Sequence, residues 1–203
     1  MKVVTEITTA VEALRNGGIV AYPTETYYGL GVDATNPKAL ARLTKLKKRD
    51  PKSPYPVLLA SKQKLNQYAD VVPIQVQPLV DKYWPGPLTI ILISSSFPPE
   101  VTNEQGGVGF RVSSHDIAAT LTKTFELPIT TTSANHSKDS PACTAEEIIS
   151  IFSDEDLVVL DGGPTAGGAP STVVDFTKPN DFSLKREGSI SRFEILRTLQ
   201  MGS

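Results

Sequence analysis

Along this chain, short apolar and β-branched runs alternate with segments of helical period, a pattern that restricts the fold to the α/β class. The strand-like runs fall at residues 19–22, 56–60, 88–93, 108–112, 129–132, 157–160 and 172–176. Helical spacing fills much of the chain between them, but some strands follow one another with no helix in between. A twisted, mixed sheet flanked by helices is therefore expected in preference to a purely parallel one. The 203 residues carry no internal repeat, no low-complexity tail and no linker that parts two cores, so residues 1–203 read as one domain.

Local punctuation supports this division. Gly17 and Gly18 close a short helix whose apolar positions include Val11 and Leu14. PTETYYGLG, residues 23–31, reads as a polar loop. Asn36 supplies an N-cap and Pro37 a preset first position for the helix KALARLTKLKK, which Asp50-Pro51 ends. Residues 62–68, 74–83 and 115–125 have helical spacing, and WPGP breaks the second of these from the strand that follows. The pairs Thr144 with Glu147 and Ser191 with Glu194 have the spacing of capping boxes.

The helix after Pro37 is the most informative segment for chemistry. Ala39, Leu40, Leu43 and Leu46 form one stripe, and Lys47 falls inside it, while Arg42, Lys45 and Lys48 point away. Lys47 either snorkels at the edge of a solvated face or enters a cleft, where with Arg49 it would hold an anion. The run TTTSAN at 130–135 puts hydroxyls and an amide at the end of a strand, where α/β sheets commonly bind ligands; an ordinary polar turn is the other reading. Arg111 lies within an apolar strand, so it needs a carboxylate from the protein or an anionic ligand.

Other motifs are less specific. GLGVDA at 29–34 matches the dinucleotide fingerprint only nominally, because it follows a polar loop. The glycine-rich stretch from Asp161 to Thr172 lacks a P-loop ending and reads as a turn or lid. His115 and His136 have no zinc spacing, and with no G-x-S-x-G elbow a Ser133-based hydrolase is disfavoured.

Composition excludes some partners. A net charge of -2 and a pI near 5.7 provide no global field for nucleic acid or membrane, so any anion site is local. One cysteine, Cys143, cannot form an internal disulfide. The start of the chain lacks the apolar core of a signal peptide, and no run is long enough to cross a bilayer, so a cytoplasmic setting without membrane contact is expected.

Taken in order, PTETYYGLG, the Lys-x-Arg at Lys47 and Arg49, PGPLT at 85–89, G-x-R-V around Arg111, TSAN at 132–135, STVVD at 171–175 and REG at 186–188 resemble the YrdC/TsaC-like family, over about residues 8–195. That resemblance implies an α/β domain with a concave, positively charged cavity. It implies a nucleotidyltransferase, an L-threonylcarbamoyladenylate synthase that joins L-threonine, bicarbonate or CO2 and ATP into threonylcarbamoyl-AMP and pyrophosphate. Other proteins, the tRNA threonylcarbamoyl transferases, would then pass the group to adenosine in tRNA.

Carried over residue by residue, the resemblance places Lys47, Arg49, Ser53, Ser133, Asn135 and Arg186 at ATP, with Lys47 and Arg49 catalytic. It places Thr24, Thr26, Arg111, Thr131 and Ser171 around threonine. Mg2+ would arrive with ATP, held mostly by phosphate and water oxygens and by no protein cage. Asp50 stands where many relatives have proline, and Leu58 where some longer ones have histidine. Longer relatives also carry an extra carboxyl-terminal domain, so closure over the nucleotide is expected from loops of this chain.

Two competing functions are weighed against this one. A hydrogenase-maturation carbamoyl transferase would need acylphosphatase and zinc-finger regions that a single cysteine does not allow. A non-catalytic RNA-binding or ribosome-assembly module is the other; the acidic total opposes strong nonspecific binding while leaving room for weak local RNA contact.

Overall fold

A computed structural model describes residues 1–153, 155–178 and 181–201. β1 (Lys2–Val4) and α1 (Ile7–Arg15) precede the hairpin of β2 (Val20–Pro23) and β3 (Tyr28–Gly31), followed by α2 (Pro37–Lys47) and β4 (Val57–Leu58). A 3-10 turn at Lys62–Lys64 leads to α3 (Leu65–Tyr68), α4 (Val76–Tyr83), β5 (Leu88–Ile93), β6 (Gly107–Arg111) and α5 (Asp116–Phe125). Next come β7 (Ile129–Thr130), β8 (Thr132–Ser133), α6 (Ala145–Ile151), β9 (Val158–Leu160), β10 (Thr172–Asp175), β11 (Ser183–Arg186) and α7 (Arg192–Met201).

The expected mixed α/β architecture is present, with the described strands divided between two sheets. One has the order β1-β9-β2-β3-β8, the other β11-β10-β5-β6-β4-β7. Each mixes parallel pairs, such as β2 with β9 and β5 with β10, and antiparallel ones, such as β2 with β3 and β5 with β6. No helix among the described residues is long and apolar enough to cross a membrane.

Two apolar clusters explain why the sheets hold. Leu40 and Leu43 of α2, Leu79 of α4, Ile148 of α6, and Leu88 and Ile90 of β5 are fully buried in the larger. Val11 and Leu14 of α1 pack with Leu121 and Phe125 of α5 against Val20, Tyr22 and Ile129 in the smaller. Removing a buried leucine side chain from such a site costs about 2–5 kcal/mol, so these helix faces fix where their ends point.

The anticipated loop at 23–31 is half strand: Tyr28–Gly31 pairs antiparallel with Val20–Pro23. Its glycines are there for a cross-strand reason. A Cβ on Gly31 would lie 2.7 Å from Cε1 of Tyr22, and one on Gly29 would lie 3.2 Å from Cζ of the same ring. The buried tyrosine lies across the bare backbone and donates from its hydroxyl to the Thr130 carbonyl at 3.0 Å. Close approach, not a turn or a phosphate cradle, uses these two glycines.

The strand anticipated at 129–132 breaks at Thr131 between the sheets. β7 pairs with β4 and β8 with β3, while the Thr131 N–H donates to the Pro56 carbonyl at 2.8 Å. β1 and β11 carry little apolar patterning to announce them, since only Val4 is buried in β1 and none of β11 is.

Candidate active site

α2 ends where the site begins. Asn36 caps its first turn, accepting from the N–H groups of Lys38 and Ala39 at 3.1 and 3.3 Å, and Pro37 follows. At the far end Lys48 adopts a left-handed conformation, φ 50°, which turns Arg49 out of the helix. Lys47, in the apolar stripe, is only 2 % exposed.

The Lys47 ammonium is not among the groups that wall the cavity between these elements. It donates to the carbonyls of Ser133 and Asn135 at 2.6 and 2.8 Å and to Oδ1 of Asn135 at 3.3 Å. Asn135 also accepts from the Ser133 hydroxyl at 2.6 Å and donates to the Asp139 carbonyl at 2.7 Å. The structure thus brings Lys47, Ser133 and Asn135 together, with the lysine behind the wall. Burial, helped by the Arg49 charge, pushes the Lys47 pKa down to about 7.

Arg49 stands on the cavity side. Its Nε and Nη2 donate to the carbonyls of Ser53 and Pro54 at 3.0 and 3.1 Å, and its guanidinium stacks over Tyr55, 4.8 Å from the ring centre. Ser53 takes part through that carbonyl and does not line the cavity.

The cavity, about 200 Å³, is walled by Thr24, Thr26, Arg49, Arg111, Thr131, Ser133, Ser171 and Arg186 of the anticipated residues. Tyr27, Thr89 and Thr132 also line it. Its three guanidinium groups come from separate elements: the turn after α2, the end of β6 and the end of β11. A neighbouring cavity of about 190 Å³ shares Pro56, Thr89 and Arg186 and is walled also by Tyr55, Ile91 and Val173.

Each arginine is anchored. Arg186 donates from Nε and Nη2 to the Ser171 carbonyl at 3.0 and 2.8 Å, and from Nη2 to its hydroxyl at 3.0 Å. That hydroxyl lies 3.1 Å from Oγ1 of Thr89. Burial, with Arg111 nearby, lowers the pKa of Arg186. Arg111, 6 % exposed, has the carboxylate partner a buried guanidinium requires: Oε1 of Glu25 lies 2.9 Å from its Nη2.

Glu25 sits in the turn between β2 and β3. Thr24 shapes that turn by donating from its hydroxyl to the Tyr27 carbonyl at 2.7 Å and accepting from the Thr26 N–H at 3.3 Å. The turn therefore presents Thr24 and Thr26 to the cavity and Glu25 to Arg111. Above it, the glycine-rich segment is tied down: the Gly167 N–H donates to the Thr26 carbonyl at 2.7 Å, and the Tyr27 hydroxyl to the Gly168 carbonyl. Sequence spacing singles out neither Glu25, Tyr27 nor Thr89, because each acts through a partner distant in the chain.

The anticipated structural histidines take such roles. His115 Nδ1 accepts from the Ile117 N–H at 3.3 Å at the start of α5, and His136 Nδ1 lies 3.0 Å from the Leu46 carbonyl with its ring edge-on to Phe152. Leu58 is buried in the smaller apolar cluster.

Residues 12–188 match the family model Sua5_yciO_yrdC, described as "Telomere recombination". The chain is 36% identical over 174 residues to a protein of Pyrococcus abyssi named threonylcarbamoyl-AMP synthase, covering 85% of this chain and 51% of that one. It is 36% identical over 163 residues to a protein of the same name from Thiobacillus denitrificans, covering 80% and 86%. A solved structure of P. abyssi Sua5 complexed with L-threonine superposes with a TM-score of 0.89 and 33% identity over 97% of this chain and 60% of that one. The chain thus spans about half the length of its Pyrococcus relative and most of the length of the Thiobacillus one.

Proposed function

The chain belongs to the Sua5/YciO/YrdC family, and on that footing we propose that it is an L-threonylcarbamoyladenylate synthase, a nucleotidyltransferase acting on L-threonine, bicarbonate or CO2, and ATP. The observation that carries this reading is the convergence of Arg49, Arg111 and Arg186 on one hydroxyl-lined cavity. The names of its Pyrococcus and Thiobacillus relatives agree with it.

Threonine occupies the half walled by Thr24, Thr26, Thr131 and Ser171, its carboxylate on Arg111 and its methyl and hydroxyl among the threonine side chains. ATP lies across Arg49, Ser133 and Arg186, with its base toward the more apolar walls of Tyr55, Ile91 and Val173. Ser53 and Asn135 support that site through Arg49 and Ser133, and Lys47 adds its charge from behind the wall.

In the adenylating step a carbamate oxygen forms a bond to the α-phosphorus, the bond from that phosphorus to the bridging oxygen breaks, and pyrophosphate leaves with the electron pair. That step needs in-line alignment and neutralisation of negative charge, which fixed guanidinium groups in a partly buried cavity supply. It needs little proton transfer.

Magnesium is assigned to the substrate. Among the described residues no group of three His, Cys, Asp or Glu side chains could hold a metal ion, and Glu25 is committed to Arg111 and Ser113. The described residues do not form a magnesium cage. The product passes to tRNA threonylcarbamoyl transferase proteins, in the cytoplasm.

The test is pyrophosphate release that requires both L-threonine and bicarbonate in addition to ATP. Arg49→Ala and Lys47→Ala nearly abolish it on this reading. Tight RNA binding with no pyrophosphate release under any amino acid would replace the reading with a binding module.

A further inference from the structure

Glu25 does not line the cavity, yet its side chain is only 15% exposed and its surroundings are built for a charge. Arg111 Nη2 lies 2.9 Å from Oε1, the Ser113 hydroxyl donates to Oε2 at 2.5 Å, and the Ser114 N–H donates to Oε1 at 3.3 Å. Burial raises the carboxyl pKa, but the Arg111 charge and the Ser113 hydroxyl outweigh it and hold the group below its usual range. Among the described residues Arg111 has one other anchor, a 3.3 Å bond from Nε to the Gly86 carbonyl.

From this geometry we infer that Glu25 is a positioning residue for the amino-acid substrate, fixing the Arg111 guanidinium so that its remaining donors face the substrate carboxylate. The inference rests on the function proposed above. Without Glu25 the guanidinium would be held by a single long hydrogen bond and would turn about its side-chain torsions. A planar donor fork recognises a carboxylate only when its plane is fixed, so orientation is what the ion pair contributes.

Neutralising Glu25 also leaves the site with one more positive charge, which would attract a carboxylate. Threonine at neutral pH is a zwitterion, however, and the added charge repels its ammonium as it attracts its carboxylate, so the two Coulomb contributions largely cancel. Loss of orientation has no such offset and decides the outcome.

Glu25→Gln tests this: with its carbonyl oxygen in the Oε1 position the amide still accepts from the Ser114 N–H, and its NH2 can donate to the Ser113 hydroxyl in place of accepting from it, while the charge is removed. The KM for L-threonine is expected to rise about tenfold, with kcat and the KM for ATP within about twofold of wild type. In an Arg111→Lys background the same change adds less than about twofold, because its effect runs through the arginine. A second measurement needs no substrate: the Arg111 Nε–H proton, observed by NMR in the free protein, exchanges slowly in wild type and on the order of tenfold faster in Glu25→Gln.

Unchanged exchange at Arg111 overturns the inference whether or not the protein turns over threonine. So does a parallel loss in kcat, in both KM values and in thermal stability, which would make Glu25 a fold element only. Absence of threonine-dependent turnover in wild type sinks the functional proposal instead and leaves the exchange experiment to judge the positioning role. Ser113→Ala keeps both charges and serves if Glu25→Gln does not fold: a smaller rise in the threonine KM supports the inference, and none opposes it.

Discussion

The ammonium of Lys47 lies 2.6 Å from the Ser133 carbonyl and 2.8 Å from that of Asn135, so the end of α2 is fastened to the segment that follows β8. With a pKa pushed down from 10.5 to about 7, this group binds its proton less tightly in the native protein than in the unfolded chain. The burial penalty is fully present below about pH 7 and is relieved as pH rises toward the unfolded value, so its contribution to stability increases with pH across that window. Lys47→Met flattens the rise, measured by urea unfolding at a series of pH values. A slope that persists unaltered in the variant would assign it to other groups.

Arg49 holds two carbonyls and a ring at once, through Ser53, Pro54 and Tyr55. A lysine carries a charge but no planar fork, so Arg49→Lys is not conservative here. kcat/KM for ATP falls at least about tenfold, equivalent to roughly 1.4 kcal/mol of transition-state binding, while the circular dichroism spectrum stays as in wild type. Retained efficiency would show that charge alone is sufficient.

Gly31 has Tyr22 against its bare backbone. Gly31→Ala introduces a Cβ 2.7 Å from the ring and 3.2 Å from the Thr130 carbonyl, and neither neighbour is the free end of a flexible chain. Overpacking of this kind destabilises by about 1–3 kcal/mol, read as a lowered denaturation midpoint. The double variant with Tyr22→Leu, which removes the ring, should lose less than the sum of the two single changes.

Asn36 accepts from two N–H groups at the start of the helix that delivers Lys47 and Arg49. Asn36→Ala costs about 1 kcal/mol. Because the cap lies at the opposite end of α2 from the site, chemical denaturation registers the change while the KM for ATP does not. A matching rise in that KM would mean that fraying reaches the far turn.

What was legible in the sequence is what local chemistry determines. Residues 88–93 read as a strand and form β5, since a continuous apolar run flanked by breakers has few other outcomes. Lys47 was legible as a lysine inside an apolar stripe because helical period is a property of neighbours in sequence. The need of Arg111 for a counter-charge was legible too, but the identity of Glu25 was not. The Ser113 hydroxyl that shares that carboxylate lies 88 positions away, and no local pattern reports such a meeting.

The strand at 28–31 was hidden for a similar reason. Two glycines and a preceding polar turn look like loop until Tyr22, on the partner strand, is seen to occupy the space their side chains would fill. Thr89 and Ser171, 82 positions apart, form their contact only once β5 and β10 lie side by side. In each case the missing information was tertiary.

Thr131 joins two main-chain ladders with no linker between them: Thr130 is registered against Val57 and Thr132 against Leu30. The layers consequently share a seam of covalent backbone directly under the cavity, and neither can slide past the other without tearing hydrogen bonds on both sides of one residue. The floor of the cavity is thereby a keel braced from both sides, and any adjustment of its shape falls to the turns and side chains along its rim.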